Sequence, residues 1–183
     1  LCAPGRYSPA PAKRRGHELK VALAQIDAAV GDLRGNTEKI LSALGEASRR
    51  GAQLAVFPEQ ALGGYPALDL WEERGFAEAN EKVLASLAKK IHGTAALVGY
   101  VSRGNGRMGK PLRNSAALLH NGKVMAVRHK TLLPTYDVFD EARYFAPAAE
   151  NKPIAWGGLK LGVSICEDAW SVAPLTKRRL YPV

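Results

Sequence analysis

Apolar residues recur along this chain in two alternating rhythms. Leu19–Ile26 (LKVALAQI) reads as a strand that becomes buried, and Gln53–Phe57 (QLAVF) and Ala95–Val101 (AALVGYV) read as buried strands. Between the first two, Ile40, Leu41, Leu44 and Ala47 stand at helical spacing behind Asn36. That pattern predicts a helix capped by Asn36 and ended by Gly51. Phe76, Ala79, Val83, Leu87 and Ile91 line one face of a second predicted helix, closed by Gly93. Two β-α-β units in series predict right-handed crossovers and a mostly parallel beginning to a sheet.

The rhythm then shortens. Asn114–His120 and Lys123–Lys130 read as strands joined by Asn121-Gly122, the strongest short hairpin signal in a sequence. Pro153–Trp156 and Leu159–Cys166 flank Gly157-Gly158 and predict a second hairpin. The expected class is α/β with a mixed sheet, helices early and a meander late. There is no internal repeat.

Composition narrows this picture without changing it. The 183 residues make room for one domain, and a 46% hydrophobic, 23% charged composition argues against disorder. No stretch approaches the ~18–20 apolar residues of a membrane span. Two distant cysteines, Cys2 and Cys166, exclude a disulfide framework and suit a reducing compartment, so the cytoplasm is the expected location. The net charge of +9 divides equally among residues 1–18, 19–170 and 171–183. Two short tails thus carry most of the excess, with one tyrosine each (Tyr7, Tyr181) and no series of aromatic residues interleaved to stack bases, and nucleic acid is not the expected partner. Residues 1–18 read as a flexible basic, proline-containing leader, 19–170 as the folded domain and 171–183 as an unassigned tail.

Three residues of different chemistry share one kind of position. Glu59 follows the strand QLAVF after Pro58, Lys130 closes KVMAVRHK, and Cys166 closes LKLGVSIC. Ligands of such sheets collect beyond the carboxyl ends of strands. Singly, each has an ordinary explanation: a loop carboxylate, a solvated edge lysine, a small buried thiol. Together they supply a base, a cation and a nucleophile, the set that acyl transfer needs. Glu59 would take the thiol proton as Cys166 attacks a carboxamide carbon, then hand it to the departing ammonia. Lys130 would hold the oxyanion, with a backbone N–H beyond the nucleophile as second donor.

Phe57-Pro58-Glu59, Arg128-His129-Lys130 and Ile165-Cys166-Glu167-Asp168 resemble, in that order, the three signature segments of the nitrilase (carbon–nitrogen hydrolase) superfamily. Ala24-Gln25, Gly64-Tyr65-Pro66, Leu132 through Phe145 and Glu167-Asp168-Ala169-Trp170 are similar to segments of the glutaminase domains of glutamine-dependent NAD synthetases. The resemblance covers about residues 19–170. It implies an α-β-β-α sandwich that hydrolyses glutamine through a γ-glutamyl thioester. Glu59 is then the base, Lys130 the oxyanion stabiliser and Cys166 the nucleophile. Tyr136 and Glu167 match positions that help hold glutamine, and Tyr65 matches one on the pocket wall. Glu141 matches a second glutamate that supports the lysine and the proton transfers. The glutaminase step is implied to need neither cofactor nor metal.

The resemblance further implies a separate synthetase domain, absent from this chain, that uses ATP and Mg to amidate deamido-NAD with the released ammonia. It implies a homo-oligomeric full-length form. The family's hydrolase domain continues well past its cysteine, so a fragment lacking the C-terminal part of the sandwich is expected. Two other readings stay open: an amidase or nitrilase for another small amide, and a catalytically incomplete fragment that serves as an interaction scaffold.

Other signals fall away. Gly104 to Gly109 fits G-x-G-x-x-G, but Lys110–Arg113 leads into a strand where a dinucleotide site needs a helix, so a hairpin loop is expected. The four histidines lack metal-ligand spacing, and Asp137 and Asp140 read as loop-ordering carboxylates.

Overall fold

Strand pairing follows chain order. The computed structural model describes residues 18–104 and 110–170. Its main sheet runs β1 (Val21–Leu23), β2 (Leu54–Val56), β3 (Ala95–Arg103), β4 (Leu112–His120), β5 (Lys123–His129). β1, β2 and β3 are parallel, joined through α1 (Leu33–Arg49) and α2 (Phe76–Lys90); β4 and β5 return antiparallel. The mixed sheet expected from the sequence is therefore present. Asn121 (φ 48°) and Gly122 (φ 77°) close the β4–β5 hairpin in the doubly left-handed conformation that this dipeptide favours.

The two faces of the sheet are covered differently. Ile40, Leu44 and Ala47 of α1 and Leu84, Leu87 and Ala88 of α2 pack on Ala55, Ala96, Val98 and Ala117. Strand residues of the other parity, Leu54, Ala95, Ala116 and Leu118, meet the second hairpin, β6 (Ile154–Trp156) and β7 (Leu159–Leu161). That hairpin forms its own two-stranded sheet. Among the described residues it is the sheet that packs on that face.

Four details differ from the sequence expectation. Asp32, not Asn36, caps α1, its carboxylate accepting from Gly35 N at 2.8 Å. Asn36 lies a turn further in, fully buried, and its amide ties Ala29 and Leu62 to the helix. The buried stripe of α2 runs through Ala77, Asn80, Leu84, Leu87 and Ala88, with Ala79 and Val83 only half-buried. β1 is an edge strand, and Leu23 is 83% exposed where the apolar run predicts burial. β7 ends at Leu161, five residues before Cys166. Val163 and Ile165 still alternate into the core, so the segment stays extended without a strand partner.

The expected leader (Glu18 apart), the tail 171–183 and residues 105–109 of the glycine-rich loop lie outside the described residues. That loop joins antiparallel β3 and β4, and strand follows it. Among the described residues no helix is long and apolar enough to cross a membrane.

Candidate active site

Strand direction explains why distant residues meet. β5 is antiparallel to β4, which is antiparallel to β3, so the carboxyl ends of β2, β3 and β5 and the start of β4 share one edge. Glu59 leaves the end of β2, Lys130 leaves the end of β5, and Asn114 lies near the start of β4. Phe57 N donates to Leu97 O and Leu62 N to Gly99 O, laying the Glu59 turn across β3. A Cβ at position 99 would stand 2.3 Å from Pro58 O and 2.5 Å from Gln60 N. Only glycine permits that approach.

The centre of the site is a charged cluster. Lys130 Nζ lies 2.7 Å from Glu59 Oε1 and 2.7 Å from Glu141 Oε1, with its side chain fully buried. Glu141 opens the single turn α3 (Glu141–Tyr144) and is itself buried. Asn114 Nδ2 donates to Glu59 Oε1 at 2.6 Å and to Glu141 Oε2 at 3.3 Å, and Tyr65 OH donates to Glu141 Oε1 at 2.9 Å. Burial by itself would lower the Lys130 ammonium, but the two glutamates outweigh it and hold the lysine above its ordinary value. Burial, then the charge of Glu59, raises the Glu141 carboxyl. Burial and the nearby charge of Glu141 push the Tyr65 phenol far up, so it stays a donor.

Cys166 begins a 3-10 turn (Cys166–Trp170) in the left-handed region, φ 45°. Such a conformation costs a non-glycine residue about 1–3 kcal/mol and persists where its surroundings enforce it. Asp168 does the enforcing. Its Oδ1 accepts from Thr131 N (3.0 Å), Thr131 Oγ1 (2.6 Å) and Leu132 N (2.9 Å), while Oδ2 accepts from Ile165 N (3.2 Å). The cysteine turn is thereby fastened to the residues that follow Lys130. Gln60 (φ 47°) and Asp137 (φ 53°) are also left-handed, so the Glu59, Tyr136 and Cys166 segments each carry a local strain.

Glu59 and Cys166 line one cavity of about 80 Å3 together with Phe57, Gly99, Ser115 and Ile165. The Cys166 residue is exposed overall, yet its thiol is partly sheltered. That shelter, followed by the negative charge of Glu59, raises the thiol to about 11, against a smaller lowering by Lys130. At pH 7 only about one molecule in ten thousand is then a thiolate. For such a thiol to act as a nucleophile, a base would have to remove its proton. On the outer rim, Tyr136 OH donates to Glu167 Oε2 at 2.8 Å, and Phe139 meets the Tyr136 ring edge-on and the Tyr65 ring at a tilt. Tyr136 is 56% exposed, so this pair lies nearer to solvent than the charged cluster.

Every site residue expected from the sequence thus falls in one region: Glu59, Lys130 and Glu141 in direct contact, Tyr65 on Glu141, Cys166 across the cavity, and Tyr136 with Glu167 on the rim. Asn114 and Asp168 were missed as structural partners of these groups. Asp168 is visible in the sequence only as a second acid after the cysteine. Asn114 is visible only as a polar residue inside the run RNSAALLH, where β4 buries it along with Ser115. His129 turns away from Lys130 and pairs Nδ1 with Ser115 Oγ at 2.8 Å. Among the described residues no cluster of His, Cys, Asp or Glu has the form of a metal site.

A thiol, a carboxylate and an ammonium gathered at the edge of a mixed sheet define a class, and the sequence agrees with the geometry. Residues 20–180 match the carbon–nitrogen hydrolase family, and the chain belongs to it. Among its relatives, the glutamine-dependent NAD(+) synthetase of Synechocystis sp. is 44% identical over 167 residues, covering 89% of this chain and 30% of the relative. The structure of the glutamine-dependent NAD+ synthetase from Acinetobacter baumannii in complex with ADP superposes with a TM-score of 0.78 at 34% identity, covering 86% of this chain and 29% of that one. An amidase from Nesterenkonia sp. AN1, a mutant of which shows Michael addition of acrylamide at the active-site cysteine, superposes with a TM-score of 0.64 at 26% identity. It covers 80% of this chain and 57% of that one. The chain spans less than a third of the length of its synthetase relatives.

Proposed function

We propose that this chain carries the glutamine-hydrolysing site of a glutamine-dependent NAD synthetase, and that the site works through a thioester on Cys166. The observation that carries the reading is the contact of buried Lys130 with both Glu59 and Glu141, together with the cavity that Glu59 and Cys166 line. The names of the most similar relatives supply the substrate.

In this reading the geometry supports the following steps. Glutamine places its carboxamide carbon against Cys166 Sγ. Glu59 takes the thiol proton as the S–C bond forms, which removes the need for a standing thiolate. An ammonium has three N–H donors, and Glu59 and Glu141 occupy two on Lys130, leaving one for the developing oxyanion. A preorganised donor of this kind lowers a barrier by roughly 3–4 kcal/mol. Glu59 returns the proton to the leaving nitrogen, the C–N bond breaks, and ammonia departs from a γ-glutamyl thioester. Water then attacks the thioester, gives one proton to Glu59, and expels Sγ, which recovers that proton as glutamate leaves. Tyr136 and Glu167 at the rim bind the amino-acid end, the Glu167 carboxylate facing the substrate ammonium. The ammonia serves ATP-dependent amidation of deamido-NAD in a synthetase domain outside this chain.

A glutamine-mimicking electrophile tests the reading. Peptide mapping is expected to find the adduct on Cys166 and not Cys2, with protection by glutamine and no adduct in Cys166→Ala. Equal labelling of both cysteines, insensitive to glutamine, overturns it. The likeness to an amidase favours one competitor, a short aliphatic amide. Protection by acetamide or propionamide at concentrations where glutamine fails would shift the assignment to that class.

A further inference from the structure

Asn114 is a buried polar residue of the site that the catalytic steps leave without a part. It is 1% exposed, its backbone is fixed in β4, and its carbonyl accepts from Lys130 N at 2.8 Å. Its side-chain nitrogen is the one neutral donor that reaches both carboxylates, Glu59 Oε1 at 2.6 Å and Glu141 Oε2 at 3.3 Å. Its Oδ1 has no hydrogen-bond partner among the described residues. Turning the amide over would give Oδ1 a place in the cluster only by setting it against two anionic oxygens. The orientation is therefore forced, and it holds at the expense of an unpaired buried acceptor.

The charge count shows what this donor does. Two carboxylates face a single ammonium, so the ionised cluster is one negative charge in excess, and like charges at this range drive one carboxyl to keep its proton. A proton on either oxygen that Asn114 reaches would compete with its N–H. We propose that Asn114 is a positioning residue that holds the Glu59–Glu141 pair ionised near neutral pH and so keeps Glu59 free to accept the thiol proton. Rigid attachment to β4 keeps the donor between the two carboxylates as the lysine turns its third N–H toward substrate. The inference rests on the thioester reading for its purpose, but not for its measurement.

The test follows the side-chain carboxyl 13C signals of the full chain as a function of pH, with Glu59 and Glu141 assigned by Glu59→Gln and Glu141→Gln. In Asn114→Leu, close in size and without a donor, the pair is expected to bind its proton about tenfold more tightly, moving its titration up by about one pH unit. Asn114→Asp adds a carboxyl in the same place. It is expected to show one extra proton retained by the cluster above pH 7, because that proton restores a donor between the glutamates. A residue that merely supports the fold would lower the unfolding midpoint in both variants and leave the titrations of Glu59 and Glu141 where they were. That result overturns the proposal, as does an Asn114→Asp cluster that retains no proton. If Asn114→Leu does not fold, the Asn114→Asp titration decides alone. Loss of glutamine-protected labelling at Cys166 with the shifts intact would sink the thioester reading and leave Asn114's role standing.

Discussion

The helix-covered face of the sheet and the edge where its strands end are built on opposite terms. On the face, Ile40, Leu87, Val98 and Leu119 are buried among aliphatic neighbours, and close packing supplies the stability. At the edge, a fully buried lysine, two carboxylates, an asparagine with an unpaired oxygen and three left-handed non-glycine residues occupy a few turns of chain. Ion pairs so buried stabilise little in net terms, because desolvation offsets most of their attraction. The difference teaches that the face holds the sheet in register, and that the edge uses that rigidity to keep costly groups in contact.

Removing the counter-charge should break the edge most severely. Lys130→Ala leaves Glu59 and Glu141 without their cation and is expected to cost about 3–5 kcal/mol at pH 8. The sign with pH follows from the carboxyls. Glu141 is already raised above its unfolded value, and loss of Lys130 raises it further. Its stabilising contribution is then present at low pH and fades as pH rises through the folded pKa. Urea unfolding of the variant should accordingly show a smaller deficit at pH 5 than at pH 8. The parent behaves otherwise in alkali, where Lys130, raised above 10.5, stabilises fully below that value and ceases to as pH climbs past its folded pKa.

A cavity on the face sharpens the contrast. Leu87→Ala, at a fully buried position, is expected to cost about 2–5 kcal/mol. It should leave the edge alone: alkylation of Cys166, followed by peptide mapping, should still rise about tenfold per pH unit toward a midpoint near 11 in both proteins. A midpoint displaced in Leu87→Ala but kept in Lys130→Ala would reverse the assignment of roles. The smallest effect is at neither place. Asp32→Ala removes the α1 cap and should cost about 1 kcal/mol, against no measurable change for Ser42→Ala on the exposed side of the same helix.

Legibility in the sequence followed the range of the forces involved. The β-α-β rhythm, the Asn121-Gly122 turn and the Gly157-Gly158 hairpin were readable because spacing and turn chemistry act over a few residues. Glu59, Lys130 and Cys166 stood out through their motifs, although Cys166 lies in a turn and not at the end of a strand. The α1 cap was misread, since Asn36 and Asp32 are both good capping residues and only packing against Ala29 and Leu62 draws Asn36 inside. The end of β7 was misread because Val163 and Ile165 keep a strand's alternation without a strand's partner. Asn114 and Asp168 act on residues up to 55 positions away, and nothing local announces that.

Sequence alone determined which side chains were available and which elements would carry them, because periodicity and turn residues are properties of neighbours. Tertiary structure decided the rest. Strand direction brought Glu59 to Lys130, the absent Cβ of Gly99 let the Glu59 turn lie against β3, and Asp168 held the Cys166 turn against Thr131 and Leu132. Contacts of that kind join residues far apart in the chain, so only the folded molecule sets their distances and, through them, the proton affinities of the site.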